Sequence, residues 1–195
     1  MKIVIIKYNA GNVQSVQFAL QRIGVASEVT DDIDLIQGAD KVIFPGVGHA
    51  NAAMNYLKES ALDKVIVDLE QPVLGICLGM QLMCNYSEEG DTPCLGIFDS
   101  QVSLFKSADL KVPQVGWNNM YDYRSVLFEG LNDGAFVYGV HSYFAAISND
   151  TVAKMDYILP YSAALQKNNF YGVQFHPEKS GEAGEKILRN FIQYS

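Results

Sequence analysis

The chain has 195 residues, 49% of them hydrophobic and 18% charged, a length that suits one compact domain and a composition that excludes disorder. Its formal net charge of -8 argues against nucleic-acid binding, because phosphate backbones attract basic surfaces. No apolar run approaches the roughly 20 residues that cross a bilayer, so we expect no membrane association. Cys77, Cys84 and Cys94 are sparse and lack zinc-ligand spacing, which predicts reduced thiols in a cytoplasmic protein without a metal site or cofactor.

The first half of the chain alternates short apolar runs with helical patterns. Val13, Val16 and Leu20 recur at helical spacing, whereas the apolar runs on either side are short enough to be buried strands. Such alternation predicts a parallel sheet covered by helices on both faces. The predicted strands and helices, in chain order, are Lys2–Lys7, Asn12–Ile23, Lys41–Phe44, Ala50–Leu57, Ala61–Leu69, Val73–Ile76 and Gly79–Cys84.

The second half has a different pattern, in which short aromatic and β-branched runs are separated by turns. These runs predict antiparallel or mixed strands added to the parallel core, and Gly184–Tyr194 is predicted to form a last helix. No repeat or linker divides the sequence, so residues 1–195 are predicted to form a single α/β domain with a mixed, mostly parallel central sheet flanked by helices. The predicted strands are Val102–Phe105, Ala135–Val140, Val152–Met155, Ala163–Gln166 and Tyr171–Phe175.

The segment from Gly75 to Gly79 has the spacing G-x-C-x-G, the cysteine form of a nucleophile elbow. A strand that turns sharply into a helix holds the middle residue, Cys77, in a strained conformation, and the small glycines let neighbouring backbone approach. The thiol then stands at the carboxyl end of the sheet beside a helix N-terminus, which favours the thiolate. The amide of Leu78 is placed to donate to an oxyanion. From this segment alone, a buried structural cysteine is the alternative.

A thiolate needs a base, and the segment Gly172–Ser180 offers His176. Pro177 pushes His176 toward an extended conformation, in which residues two apart point the same way. Glu178 is therefore predicted to reach the imidazole and fix its tautomer. A strand that ends before His176 carries it to the carboxyl end of the sheet, where active sites of open α/β sheets lie. A surface His-Pro turn is the alternative.

Two other histidines compete for the role of base. His49 follows a glycine loop and is predicted to cap or line the next helix, and His141 is predicted to be a packed or hydrogen-bonded strand histidine. The loop Pro45–Gly48 ends a strand, and its glycines allow the peptide between them to flip. The loop is a candidate source of a second oxyanion donor, the amide of Val47, with a plain turn as the alternative.

With these residues in view, the sequence resembles the class I (triad) glutamine amidotransferases. Gly75–Gln81 is similar to their nucleophile segment and Gln174–Glu178 to their His-x-Glu segment, and the likeness covers nearly the whole chain. Within the class, Pro45–His49, Val112–Asn118 and His141–Tyr143 resemble the glutaminase subunits of imidazole glycerol phosphate synthase, which belongs to histidine biosynthesis.

The resemblance implies a flavodoxin-like fold, L-glutamine as substrate and a triad of Cys77, His176 and Glu178. It implies that a γ-glutamyl thioester on Cys77 is hydrolysed to glutamate, and that Val47 and Leu78 are oxyanion donors. The implied glutamine-binding residues are Gly48, Gln81, Ser142 and Tyr143. Ammonia would pass to a (β/α)8-barrel cyclase partner that forms imidazole glycerol phosphate and aminoimidazole carboxamide ribonucleotide. The residues predicted to dock the cyclase are Pro113, Trp117, Asn118, Tyr138 and Lys179.

The sequence also departs from the family pattern and leaves three alternatives open. Many members of the family have His and Met where Gln114 and Val115 stand, which leaves the details of the docking surface open. Gly46–Gly48 is predicted to keep the oxyanion hole unformed until the partner's ligand arrives.

The alternatives for the function are a stand-alone cysteine γ-glutamyl hydrolase or peptidase, a catalytically silent flavodoxin-like binding domain, and a glutaminase that feeds a surface-sugar pathway.

Overall fold

The structure, a computed structural model, describes residues 1–8 and 11–195. In the first half of the chain, three apolar runs and one short polar-edged segment form strands, and the amphipathic segments between them form helices, because each buries its apolar side against the same sheet. The elements in chain order are β1 (Ile3–Ile6), α1 (Val13–Arg22), β2 (Glu28–Thr30), α2 (Ile33–Gln37), β3 (Lys41–Phe44), α3 (Ala50–Glu59), α4 (Leu62–Val67), β4 (Val73–Ile76) and α5 (Leu78–Leu82).

The second half is built mainly of short strands and closes with one helix. Its elements are β5 (Tyr86–Ser87), β6 (Thr92–Pro93), β7 (Gln101–Leu104), β8 (Gln114–Asn119), β9 (Phe136–His141), β10 (Tyr143–Ala145), β11 (Thr151–Asp156), β12 (Pro160–Lys167), β13 (Phe170–Val173) and α6 (Gly181–Tyr194). Single 3-10 turns lie at Val126–Phe128 and Pro177–Lys179.

A seven-stranded sheet runs through the molecule in the order β11-β12-β13-β4-β3-β1-β2. Its five strands from β13 to β2 pair in parallel, whereas β12 pairs antiparallel with both β11 and β13. The predicted mostly parallel sheet with antiparallel additions is therefore confirmed. A four-stranded sheet, β10-β7-β5-β6, and the hairpin of β8 and β9 lie outside it.

The core lies on both faces of the large sheet, as its continuous apolar strands require. Successive residues of β1 point to opposite faces, so that Ile5 packs with Leu20 of α1 and Phe191 of α6, while Val4 packs with Leu57 of α3 and Met80 of α5. Both faces of the central strands are thus covered by helices. Among the described residues, no helix combines the length and hydropathy needed to cross a membrane.

Several elements differ from the sequence-based expectation. The sequence does not predict β2, β5, β6 or β10, which have only two or three residues each and carry too short a pattern to detect. Val112–Asn118, expected to be a docking segment, includes most of the regular strand β8. The strand expected over Tyr171–Phe175 ends at Val173, so that two residues of irregular chain precede His176.

Candidate active site

Cys77 occupies a sharp turn between β4 and α5. Its backbone has φ 54° and ψ -109°, a left-handed φ that is strained for a residue with a Cβ. The turn depends on small neighbours, because a Cβ on Gly79 would lie 1.9 Å from the carbonyl oxygen of Phe44 and one on Gly75 would lie 2.8 Å from the Met80 amide nitrogen. The structure thus has the backbone geometry that the G-x-C-x-G spacing predicts.

His176 and Glu178 face the nucleophile from the loop after β13. Nδ1 of His176 lies 2.8 Å from Oε1 of Glu178, and both side chains are fully buried. The predicted backbone geometry of this pair is wrong in one respect. His176 is extended, but Glu178 lies within the 3-10 turn Pro177–Lys179 rather than in an extended chain, so the turn brings its carboxylate to the ring. Asn12 donates to the same carboxylate oxygen at 3.2 Å.

The electrostatics of His176 favour a charged imidazole. Burial lowers its pKa, but the neighbouring Cys77 and Glu178 raise it by more, to about 10. Among the described residues, no hydrogen bond ends on Nε2 of His176. Because Glu178 occupies Nδ1, the Nε2 atom is the one left to exchange a proton with the sulfur or with a leaving group.

A cavity of about 340 Å³ opens beside Cys77. It brings together every residue that the resemblance assigns to glutamine binding or to the oxyanion hole, although these residues come from separate segments of the chain. They are Val47, Gly48, Leu78, Gln81, Ser142 and Tyr143. Pro113, His141 and Val140 complete most of the wall. A cavity of about 370 Å³ beside α3 and α4 contains none of the predicted site residues.

Glu89 is a cavity residue that the sequence does not reveal. One of its oxygens accepts a hydrogen bond of 2.7 Å from the amide of Ala50, at the start of α3, while its side chain also lines the cavity. A half-buried carboxylate in an otherwise neutral wall is suited to an ammonium group. Its segment, Ser87–Gly90, has no motif spacing, so only the fold identifies it.

The two expected oxyanion donors lie beside Cys77 but do not form a hole. The amide of Leu78 donates to the carbonyl oxygen of Gly46 at 3.3 Å, so it is already occupied. The carbonyl of the Gly46–Val47 peptide thus occupies a donor that an oxyanion would need. This arrangement agrees with the expected unformed state of the Gly46–Gly48 loop.

Three side chains form a hydrogen-bonded cluster between the sulfur and the cavity wall. Gln81 donates from Nε2 to the carbonyl oxygen of Tyr143 and to Oε1 of Gln174, at 2.9 Å each. The Nε2 atom of Gln174 lies 3.8 Å from the Cys77 sulfur. From the sequence, Gln174 is only a member of the His-x-Glu segment and has no predicted role.

The structure also places the other two histidines. His141 shares a hydrogen bond of 2.8 Å between Nδ1 and the carbonyl oxygen of Tyr143, which confirms the expected hydrogen-bonded strand histidine. Burial lowers its pKa to about 4, with a small further effect from His176, so it is neutral near pH 7. His49 precedes α3 at the capping position but makes no capping hydrogen bond.

The predicted docking residues are only partly brought together. Trp117 and Tyr138 pair across β8 and β9, with ring centroids 6.0 Å apart, and 57% of the Trp117 side chain is exposed. Asn118 lies on the reverse face of β8, where it donates to the carbonyl oxygen of Asp156. Lys179 is exposed on the catalytic turn, and Pro113 is exposed before β8 at the rim of the cavity.

Two hydrogen bonds of the Tyr138 backbone join the β8–β9 hairpin to the loop that carries His176. The amide of His176 donates to the carbonyl oxygen of Tyr138 at 2.8 Å, and the amide of Tyr138 donates to Oγ of Ser180 at 2.9 Å. The exposed hairpin and the imidazole are therefore mechanically linked. Within residues 1–8 and 11–195, no cluster of His, Cys, Asp and Glu side chains has the arrangement of a metal site.

Comparison with known proteins agrees with this geometry. A family model described as "Glutamine amidotransferase class-I" matches residues 4–194. Proteins named imidazole glycerol phosphate synthase subunit HisH are 57% identical in Bacteroides fragilis, over 99% of this chain and 100% of the relative, and 48% identical in Pasteurella multocida, over 98% and 97%.

Solved structures support the same fold. PurLQS from Thermotoga maritima has a TM-score of 0.71 at 15% identity, covering 99% of this chain and 98% of the other. A glutamine amidotransferase from the same organism has a TM-score of 0.61 at 16% identity, covering 98% and 82%. At these identities the likeness concerns the fold alone. The family match and the high identity to curated relatives are decisive, and the chain belongs to the class-I glutamine amidotransferase family.

Proposed function

We propose that this chain is the glutaminase subunit of an imidazole glycerol phosphate synthase. The observation that carries the proposal is the buried Cys77–His176–Glu178 arrangement beside a cavity, in a chain 57% identical over nearly its full length to a relative named as a subunit of that synthase. In this proposal residues 1–195 act as one amidotransferase domain, and the complex is cytoplasmic.

The first half of the reaction forms a thioester. The Cys77 proton moves to Nε2 of His176, which gives the charged imidazole that the site favours, and the resulting thiolate attacks the side-chain carbonyl carbon of glutamine. The carbon–nitrogen bond then breaks as His176 returns the proton to the nitrogen, which leaves as ammonia. Glu178 keeps the imidazole in the orientation that this transfer needs and stabilises its charged form.

The second half regenerates the thiol. A water molecule loses a proton to Nε2 of His176 and attacks the thioester carbon, and the carbon–sulfur bond breaks. Glutamate leaves and the sulfur of Cys77 recovers its proton from His176. The overall balance is glutamine plus water to glutamate plus ammonia, so the chain's own residues are sufficient for the chemistry.

The cavity supplies groups for the amino-acid end of glutamine. Both hydrogens of the Gln81 amide point to protein acceptors, so its oxygen is free to accept from an ammonium group. Glu89 adds a carboxylate to the same cavity, and together they form a favourable site for the α-ammonium. Gly48 and the Ser142–Tyr143 stretch are then left for the α-carboxylate.

The oxyanion hole requires a rearrangement before catalysis. The Leu78 amide becomes available only when the Gly46 carbonyl turns away, and the same peptide rotation points the Val47 amide toward the cavity. This rotation changes ψ of Gly46, which has no Cβ, and Gly48, with φ 116°, allows the following chain to adjust. Removal of one oxyanion donor lowers the rate by roughly 10²–10³-fold, so the resting arrangement is a weakly active state that a partner can activate.

The partner is a (β/α)8-barrel cyclase that docks on the outward face of β8 and β9. This face exposes Val115, Trp117 and Phe136, each at 57% or more, and a face so apolar is typical of an interaction surface. Because the backbone of Tyr138 holds His176 and Ser180, docking there acts on the catalytic loop directly. Ammonia must reach the cyclase without protonation in bulk water, which a docked complex permits.

A coupled assay tests this function. The chain is mixed with the cyclase, its ribonucleotide substrate and glutamine, and the expected product is imidazole glycerol phosphate. A Cys77→Ala variant should abolish glutamine-dependent synthesis and retain ammonia-dependent synthesis, because the cyclase chemistry lies in the partner. Glutamine hydrolysis that is fast without the cyclase, or hydrolysis without product, would instead support the stand-alone hydrolase or another acceptor pathway.

A further inference from the structure

We propose that Gln174 is a positioning residue that donates a hydrogen bond to the Cys77 sulfur and thereby stabilises the thiolate. Its side chain is completely buried and links the nucleophile to Gln81 in the cavity wall. The inference deepens the proposed function and rests on it, since it assigns a residue that prepares the nucleophile of the same site.

The orientation of the Gln174 amide follows from the chemistry of its neighbours. A backbone carbonyl accepts and cannot donate, so the Gln81 atom 2.9 Å from the Tyr143 oxygen must be nitrogen. That nitrogen has a second hydrogen, and its other partner within the described residues is one end of the Gln174 amide, at 2.9 Å. This end must therefore be oxygen. The opposite end of Gln174, which faces the sulfur at 3.8 Å, is then the nitrogen.

The Tyr143 carbonyl makes this chain of donors and acceptors unambiguous. It also accepts from Nδ1 of His141 at 2.8 Å, and His141 is neutral because burial lowers its pKa to about 4. Two donors thus converge on one carbonyl oxygen, which fixes the tautomer of His141 and the rotamer of Gln81. The Gln174 amide is fixed in turn and cannot rotate to present its oxygen to the sulfur.

An N–H donor at this position stabilises negative charge on sulfur more than it stabilises the neutral thiol. The effect is strengthened by burial, because water does not compete for the donor. Helix α5 has only five residues, so its N-terminus contributes a weaker field than a long helix. The Gln174 amide is therefore a specific group that stabilises the Cys77 thiolate, in addition to the charge of His176.

The titratable groups around the sulfur are His176, Glu178 and Tyr8, and the wall of the same cavity adds Glu89, His141 and Tyr143. Burial, with a smaller contribution from Cys77, raises the pKa of Tyr8, and Tyr8 donates its hydroxyl hydrogen to the carbonyl oxygen of Pro45. Tyr8 thus stays neutral. Replacement of Gln174 by Met alters none of these groups and adds no charge, so a change in thiol reactivity in that variant reports on the amide itself.

The test measures the rate at which iodoacetamide alkylates Cys77 as a function of pH, with adducts located by mass spectrometry. Burial raises the pKa of Cys94 to about 11 and also raises that of Cys84, so neither competes near neutral pH. Gln174→Met removes both amide ends at similar volume. Gln174→Glu keeps an acceptor for Gln81 and removes the donor to sulfur, but its carboxylate also repels the thiolate, so Gln174→Met carries the decisive comparison. Gln166→Met, on β12, is the matched control.

Both Gln174 variants should move the alkylation midpoint to higher pH and slow alkylation at pH 7 by on the order of tenfold, the effect of one hydrogen bond to a charged group. The control should match the unmodified protein. A Gln174→Met profile identical to the unmodified one would overturn the proposal, because the sulfur contact would then have no effect. A thermal melt of each variant establishes that it is folded.

A second measurement needs no variant. In the unmodified, ¹⁵N-labelled protein, the side-chain amide protons of Gln174 should shift with the same pH midpoint as alkylation and should shift again when Cys77 is blocked. Gln174 amide resonances that shift neither with pH nor when Cys77 is blocked would refute the contact. Because neither measurement uses glutamine or the cyclase, their failure is distinguishable from failure of the coupled assay.

Discussion

The close packing behind the nucleophile turn makes Gly79→Ala a demanding test of the site geometry. The added Cβ would lie 1.9 Å from the carbonyl oxygen of Phe44, whereas ordinary contact begins at 3.4 Å, so α5 and the end of β3 must separate by about 1.5 Å. Overpacking against backbone that cannot rotate away destabilises a core by about 3 kcal/mol or more. For a chain of this size the loss corresponds to a fall in Tm of roughly 6–12 °C.

The same displacement moves the start of the Gly46–Gly48 loop, so glutaminase activity should fall even at temperatures where the variant is folded. Calorimetry gives the Tm, and the coupled assay gives the activity. Gly11→Ala is the control, because its Cβ would be at an ordinary 3.4 Å from a Val47 methyl group and its φ is not left-handed. A Gly79→Ala variant as stable as this control would refute the packing argument.

Three further predictions address the substrate, the partner and pH. Glu89→Gln keeps an oxygen that accepts from the first amide of α3. It should raise KM for glutamine by roughly 10–100-fold with little change in kcat, as loss of a charged hydrogen bond predicts. An unchanged KM would exclude the proposed ammonium site. Trp117→Ala should weaken cyclase binding, measured by calorimetry, by about 2 kcal/mol and leave Tm unchanged. Because burial lowers the pKa of His141 from 6.5 to about 4, the unfolded chain binds this proton more readily. Stability should therefore be lost as pH falls from 6.5 to 4, by up to about 3 kcal/mol, and denaturant titrations of His141→Gln should lack this component.

The central part of the fold was predictable because its signals are local. The strands β1, β3 and β4 are uninterrupted apolar runs, and the turn at Cys77 depends on glycines two residues away on either side. The short strands β5 and β6 were not predictable, since two residues have no periodicity. The register of β5 depends on β7, which lies more than a dozen residues along the chain.

The sequence predicts the site residues that belong to a motif of recognisable spacing. It does not predict those that only tertiary packing brings to the site. Cys77 and His176 are identified by their neighbours in sequence. Glu89 reaches the cavity because its carboxylate caps a distant helix, and the engagement of the Leu78 amide by Gly46 is a contact between separate loops. No sequence pattern encodes either contact.

If the chain docks a cyclase as proposed, the main-chain attachment of Tyr138 to the turn Pro177–Lys179 has a consequence for how the two proteins can diverge. Since the amide and carbonyl of Tyr138 hold Ser180 and His176, a change of side chain at position 138 leaves both attachments in place. In the proposed complex, mutations at this position would change recognition of the cyclase and leave the docking surface connected to the imidazole. The backbone atoms of Tyr138 would then transmit the effect of docking to His176, while its side chain would help to determine which cyclase binds.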